Sequence, residues 1–263
     1  MLALSRMDYE LFKYEILRLT GINLNLYKEK QMKRRIENYR TLHKLGEYEE
    51  FLRLLAADAD QLSLFLDYIT INVTDFFRTP QHWQELEEQI IPQLSHPRAW
   101  SMACSTGQEA YSLAISLAQH FPLNEIKVLA TDIEEHVLEK AEKGFYTNKE
   151  MVNVPPPIRE KYFEQTDDGY LVRDELHSVV EFRQMNLLTD AFPQDMDLIA
   201  CRNILIYFTE ETKQIVYDKI HSSLVPRGIL FTGEAEQIVF YKSHGFNKIT
   251  KFLYSSSESW VKS

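Results

Sequence analysis

Arg98–His120, RAWSMACSTGQEAYSLAISLAQH, starts as an apolar run, passes through a Ser-Thr-Gly turn and continues with apolar residues at helical spacing. It reads as strand, tight turn, helix, the order that opens a nucleotide-type site in an α/β fold. Twenty-five residues after Gly107 a second apolar run, KVLATD, ends at Asp132. An acid there can accept hydrogen bonds from ribose hydroxyls. Two later strand ends, MNLL and CRNILIYF, can complete a pocket.

Working outward, strands and helices alternate from Arg98 onward, which predicts a largely parallel sheet. RAWSMAC, KVLATD, VVEFRQMN, DMDLIACRN and ILFTG read as strands, and QEAYSLAISLAQHF, EEHVLEKAEK (closed by Gly144) and TEETKQIVYDKIHSSL as helices. YFEQTDDGYLVR reads as an inserted hairpin turning at Asp168-Gly169, Pro226-Arg227-Gly228 as a turn, and GFNKITKFLYSSSESWVK as a terminal strand pair.

The first 70 or so residues read as helices only. Phe12, Ile16 and Leu19 make one stripe, stopped at Gly21; Met32, Ile36 and Tyr39 make another on a helix over 26–44. Tyr48, Phe51, Leu52 and Leu55, then Leu62, Phe65, Leu66 and Ile69, mark two more. On the second helix Lys30, Lys33, Arg34, Arg40 and Lys44 share an arc of roughly 120° opposite the buried stripe. With Lys28 and Arg35 they outnumber Glu29 and Glu37, so the face is either a docking surface for an acidic partner or a solvated helix face. Thr79-Pro80 resembles an N-cap followed by Pro at the first helical position.

The 263 residues carry a net charge of −10, which argues against a general nucleic-acid binder. Cys104 and Cys201 are expected to be free thiols in a reducing cytoplasm, since MLALSRMDYE lacks an export core. No window approaches the roughly 18 apolar residues of a membrane span. A dinucleotide turn needs three glycines, whereas this one has Gly107 alone and no Walker lysine, so NAD and ATP are disfavoured. S-adenosylmethionine, with ribose and adenine but no phosphate, remains compatible, and no metal site is expected.

Each chemical candidate also has a structural reading. Glu109 can hold a cofactor ammonium or complement the helix dipole. Asp132 can bind ribose or, with Glu135, form a capping box. Asn186 can read adenine or start a turn. Arg202 and Asn203 end an apolar strand where ligands of open sheets bind. Tyr207 can be a core aromatic, and Arg78 a surface charge.

With TINVTDFFR, ACSTGQEAYSLA, LATDI, NLL and CRNILIYF assembled in order, and GEAEQI later, the chain resembles the chemotaxis receptor methyltransferases, the CheR family. The resemblance spans essentially the whole chain. It implies a Rossmann-like class I methyltransferase sheet (98–263) with a small antiparallel β insert at about 160–178. An N-terminal all-helical receptor-docking domain (1–72) and a linker with a helix (73–97) would precede it. It implies methyl transfer from S-adenosylmethionine to receptor glutamates, leaving S-adenosylhomocysteine. Asn72, Thr74 and Arg78 match the family's N-x-T-x-F-[FY]-R cofactor stretch. Glu109, Asp132, Asn186, Leu187, Cys201 and Arg202 match further cofactor contacts, and Gly107 lies in the matching turn. Arg78 and Tyr207 match the residues placed beside the reacting groups. Gln108 and Ala110 depart from the usual C-S-T-G-E-E-P-Y-S.

The expected partners are methyl-accepting chemotaxis receptors, docked through Lys30, Lys33, Arg34, Arg35 and Arg40, with a monomeric enzyme recruited from the cytoplasm to membrane receptor arrays. No nucleic-acid partner and no direct membrane insertion are expected. The short insert favours recognition without a receptor pentapeptide tether. A nucleic-acid methyltransferase is disfavoured by the acidic charge and by CRNILIYF standing where [ND]-P-P-[FY] would. A cofactor-binding regulator that transfers nothing is the non-enzymatic alternative.

Overall fold

The amphipathic stripes become four helices, α1 (Tyr9–Thr20), α2 (Glu29–Leu42), α3 (Tyr48–Ala57) and α4 (Ala59–Thr70), in a computed structural model that describes residues 7–70, 74–95 and 97–257. The Asp8 side chain accepts from the Leu11 N–H at 2.9 Å and caps α1, and Gly21 ends it. The helices close on an aromatic core, with ring centroids 5.4 Å apart for Phe12–Phe51, 5.0 Å for Phe51–Phe65 and 5.3 Å for Tyr39–Phe65. The α1 stripe differs from expectation: its buried positions are Tyr9, Phe12, Lys13 and Ile16, while Leu19 is 37% exposed in the last turn.

The described residues form two compact units, and Tyr207–Lys213 belongs with these helices. The Lys28 N–H donates to the Tyr207 carbonyl at 2.9 Å and the Thr209 N–H to Leu26 at 3.0 Å. Tyr27 and Phe208 thereby form an isolated antiparallel bridge, with their rings 5.0 Å apart.

The second unit opens with α5 (Pro80–Gln89). Pro80 takes the first helical position, but Thr79 makes no side-chain cap; it is left-handed at φ 60°. There follow β1 (Arg98–Met102), α6 (Gln108–Ala118), β2 (Lys127–Asp132), α7 (Glu135–Lys143), β3 (Phe145–Thr147), α8 (Pro156–Tyr162), β4 (Phe163–Gln165), β5 (Gly169–Val172), α9 (Asp174–His177), β6 (Val180–Gln184), β7 (Met196–Cys201), α10 (Glu210–Ser223), β8 (Leu224–Thr232), β9 (Asn247–Lys248) and β10 (Leu253–Ser255).

Seven strands pair in the order β6-β2-β1-β7-β8-β10-β9. The first five are parallel, and β10 runs antiparallel to both β8 and β9. In β1 and β2 every residue after the first is buried, which is why they read as continuous apolar runs: helices cover both faces of a parallel sheet. Strand order reverses beside β1, so the crevice for a ligand lies outside the carboxyl ends of β1, β2 and β7. This is the Rossmann-like, doubly wound architecture with an antiparallel strand added at one edge.

The inserted sheet has three strands, β3-β5-β4, and is therefore larger than the expected hairpin. The additional strand, β3, has only three residues and follows the Gly144 cap at once, too short to show a period. Arg159 secures the insert, donating from Nη2 to the carbonyls of Met151 (3.2 Å) and Val154 (3.1 Å). Pro226-Arg227-Gly228 is not a free turn but lies within β8, where the pairing with β7 shifts register between Met196 and Leu198. A bulge tolerates the proline that a regular ladder excludes. No helix among the described residues is long and apolar enough to cross a membrane.

Candidate functional site

Backbone strain marks the carboxyl edge. Of eight described non-glycine residues with positive φ, five are Phe77, Thr79, Ala103, Ser105 and Asn203, which flank Arg78, the β1–α6 turn and Arg202. Such conformations persist only where the surroundings enforce them, and they concentrate at functional sites.

In the β1–α6 turn Gly107 has φ 94°, and a Cβ there would come within 2.8 Å of both the Ala141 Cβ and the Tyr146 hydroxyl oxygen. Tyr146 holds the same turn by donating to the Thr106 carbonyl at 2.8 Å. The Ser105 N–H donates to Asp132 Oδ2 at 2.8 Å, and the Gly107 N–H to the Cys104 carbonyl at 3.0 Å. Two of the turn's amides are thus already used, and two buried acids, Asp132 and Glu109, line the turn. Two buried carboxylates suit a ligand with a cationic group and ribose hydroxyls better than a pyrophosphate.

Asp132 makes no capping box with Glu135, because the residue at the N-cap of α7 is Glu134. Its Oδ1 instead accepts from the Glu134 N–H at 3.2 Å, so the carboxylate ties the loops after β1 and β2 together. A carboxylate offers about four acceptor sites, which leaves capacity for a hydroxyl. Burial pushes its pKa up, against these backbone N–H groups.

Arg202 joins the pieces. Its Nη1 meets Glu109 Oε2 at 3.4 Å, its Nη2 donates to the Arg78 carbonyl at 2.8 Å, and its guanidinium lies 4.7 Å from the Phe231 ring centroid and 5.3 Å from that of Trp83. Glu109 Oε1 accepts from the Ser101 hydroxyl at 2.8 Å. Burial works against both charges of the pair, raising the Glu109 pKa and lowering that of Arg202. The 3.4 Å separation is long beside the usual ~2.8 Å of a charge-assisted bond. Next to Arg202, His82 stacks on Phe252, and burial lowers its pKa to about 4.

Of the predicted site residues, Arg78, Gly107, Glu109, Asp132, Cys201 and Arg202 therefore stand on connected elements of the sheet unit. Cys201 is fully buried, and burial pushes its thiol well up. Asn186 starts a turn, its Oδ1 accepting from the Leu188 N–H at 3.0 Å; Lys219 holds that loop by donating to the carbonyls of Leu187 (3.0 Å) and Asp190 (2.8 Å). Thr74 is half-buried, and Asn72 lies outside the described residues. Tyr207 is held within the helical unit, its carbonyl accepting from the Lys28 N–H at 2.9 Å.

On α2, Lys30, Lys33 and Arg34 are exposed. Arg40 is engaged internally, donating to the Gly46 carbonyl, pairing with Glu37 at 3.0 Å and lying 4.4 Å from the Tyr48 ring centroid. Arg35 donates to the Tyr68 carbonyl and is half-buried. Sequence reasoning missed Ser101 and Glu236. A lone serine inside the buried run RAWSMAC was the available signal for the first; the second had none beyond its place in GEAEQI.

Comparison with known proteins agrees with this geometry. Residues 7–70 match the family model described as CheR methyltransferase, all-alpha domain, and residues 72–253 match CheR methyltransferase, SAM binding domain. The chain is 40% identical to a chemotaxis protein methyltransferase of Listeria innocua over 94% of its own length and 96% of the relative's. It is 32% identical to chemotaxis protein methyltransferase 2 of Pseudomonas aeruginosa over 95% and 93%, and 34% identical to the chemotaxis protein methyltransferase of Escherichia coli K12 over 89% and 86%. The strand-turn-helix with its two buried acids and the all-helical unit thus have their explanation: the chain belongs to the CheR methyltransferase family, whose cofactor is S-adenosylmethionine.

Proposed function

We propose that this protein transfers the methyl group of S-adenosylmethionine to glutamate side chains of methyl-accepting chemotaxis receptors, giving glutamate methyl esters for chemotactic adaptation. The observation that carries the reading is the Arg202 guanidinium, which joins Glu109 in the cofactor turn to the main chain of Arg78. The relatives' names supply the chemotactic context.

Bound S-adenosylmethionine supplies an electrophilic methyl whose sulfonium is its own leaving group. A receptor glutamate, with an ordinary pKa of about 4.3, is already ionised at neutral pH and needs no general base. What remains for the protein is alignment and exclusion of water. Asp132 accepts from the ribose, Glu109 holds the ammonium, and Asn186, Leu187 and Cys201 line the cofactor. Arg78 or Tyr207 orients the incoming carboxylate without moving a proton. The exposed Lys30, Lys33 and Arg34 meet an acidic receptor surface, whereas Arg35 and Arg40 serve the helical fold first.

Incubation with radiolabelled S-adenosylmethionine and receptor-containing membranes tests the reading. Base-labile label on receptor glutamates is expected; binding of the cofactor with no transfer, or base-stable label, would overturn it. A nucleic-acid substrate and a non-catalytic role are not favoured by the relatives found.

A further inference from the structure

The Glu236 carboxylate is buried, 4% exposed, yet it contacts no cation within hydrogen-bonding distance among its described contacts. Its donors are all main chain. Oε1 accepts from the N–H groups of Ile204 and Leu205, each at 2.7 Å, and Oε2 accepts from Asn203 and, at 3.1 Å, from Gly233. Three consecutive amides can face one carboxylate only if the chain curls around it, and Asn203 accordingly sits at φ 63°. A Cβ on Gly233 would lie 2.6 Å from Glu236 Oε2 and 3.1 Å from the Asn203 nitrogen, so the loop after β8 comes close enough to serve the loop after β7.

Removing the carboxylate would leave three consecutive N–H groups of a part-buried loop without an acceptor, a cost of roughly 1–3 kcal/mol for each that stays buried. The loop would escape that cost by uncurling. It begins with Arg202, the side chain that binds both Glu109 and the Arg78 carbonyl. The cofactor turn has separate anchors in Asp132 and Tyr146, so uncurling would disturb the edge of the site near Arg78 more than the cofactor turn itself.

We propose that Glu236 is a positioning residue for methyl transfer: it curls the loop after β7 so that Arg202 and Asn203 are presented at the carboxyl edge of the sheet. The inference rests on the receptor-methylation reading for its kinetic consequence, but not for its structural one. Glu236→Gln is the sharpest probe, since it keeps the size and replaces one acceptor oxygen by a donor that would face other donors.

In the full-length protein, Glu236→Gln should fold and bind one equivalent of S-adenosylmethionine. Amide exchange in peptides covering 203–205 should quicken by about tenfold or more, the mark of a locally opened segment. Its kcat on receptor should fall by about tenfold or more, a loss of transition-state alignment, with receptor KM within about threefold. Glu236→Asp should recover part of both losses. Unchanged exchange at 203–205, or kcat within about threefold of wild type, would overturn the proposal. If Glu236→Gln does not fold, Glu236→Asp decides by the same two readings. Absence of receptor labelling by the wild-type enzyme would sink the functional reading alone, because the exchange measurement still tests the loop.

Discussion

Arg202 shows how one side chain can carry a site's geometry. Its planar fork reaches a carboxylate and a carbonyl at once while its faces lie against Phe231 and Trp83. Lysine keeps the charge but loses the fork and the stacking. Arg202→Lys should therefore weaken cofactor binding by about tenfold or more, and Arg202→Ala, which strands buried Glu109, should cost about 3–5 kcal/mol of stability. Calorimetric titration and denaturant unfolding check the two. Glu109 adds a pH dependence. Its folded pKa lies above its unfolded value of about 4.3, so the folded chain holds the proton more tightly. Its contribution to stability is complete below the unfolded value and is lost as pH rises through the folded one; Asp132 behaves alike. A cationic ligand wants the ionised acid. S-adenosylmethionine affinity should thus rise with pH above the ordinary carboxylate range as the free protein gives up that part of its stability. Glu109→Gln should flatten the rise, and an affinity in the wild type that did not vary with pH would contradict the assignment.

At the scale of elements, the β1–α6 turn makes the strictest demand. Gly107→Ala adds a Cβ to a left-handed residue and drives it towards Ala141 and Tyr146. The turn must shift, and with it the Ser105 amide on Asp132. Loss of cofactor binding by about tenfold or more is expected, with a fall in melting temperature of several degrees. Titration and thermal unfolding of the same sample would separate a distorted turn from global destabilisation. This turn was legible in the sequence because both its strand and its helix are buried and therefore apolar, with one glycine between them. The same physics concealed β3, where three residues carry no period, and the bulge at Pro226, whose composition is that of a turn. Glu236 was hidden for another reason. Three of its four partners are backbone amides 31 to 33 residues away, and every residue type but proline supplies those, so no pattern of side chains could announce them. Asp132 shows the opposite failure: acid at i and Glu at i+3 spelled a capping box, but the chain placed Glu134 at the N-cap and used Asp132 to clamp two loops.

Over the whole molecule the charge is −10, so a basic helix face stands out against its surroundings. Five docking cations are expected on α2, Lys30, Lys33, Arg34, Arg35 and Arg40, and the structure distinguishes among them. Lys30, Lys33 and Arg34 are exposed, Lys33 with its ammonium 5.0 Å from the Tyr9 ring centroid, whereas Arg40 is held by Glu37 and Gly46 and Arg35 by Tyr68. A cation already engaged within its own unit has less to offer a partner, and removing it disturbs packing as well as charge. Lys30→Glu, Lys33→Glu and Arg34→Glu combined should raise receptor KM by about tenfold or more and leave the S-adenosylmethionine dissociation constant unchanged, because exposed charges act on association through the long-range field. Raising salt from about 0.15 to 0.5 M should raise KM for the wild type and do much less to the variant, since screening removes only an attraction that exists. Arg40→Ala should act differently, lowering the melting temperature of the helical unit with a smaller change in KM. Equal effects of the triple reversal and of Arg40→Ala on KM would mean that docking does not discriminate between exposed and internally paired cations, and the assignment of the receptor surface to Lys30, Lys33 and Arg34 would fail.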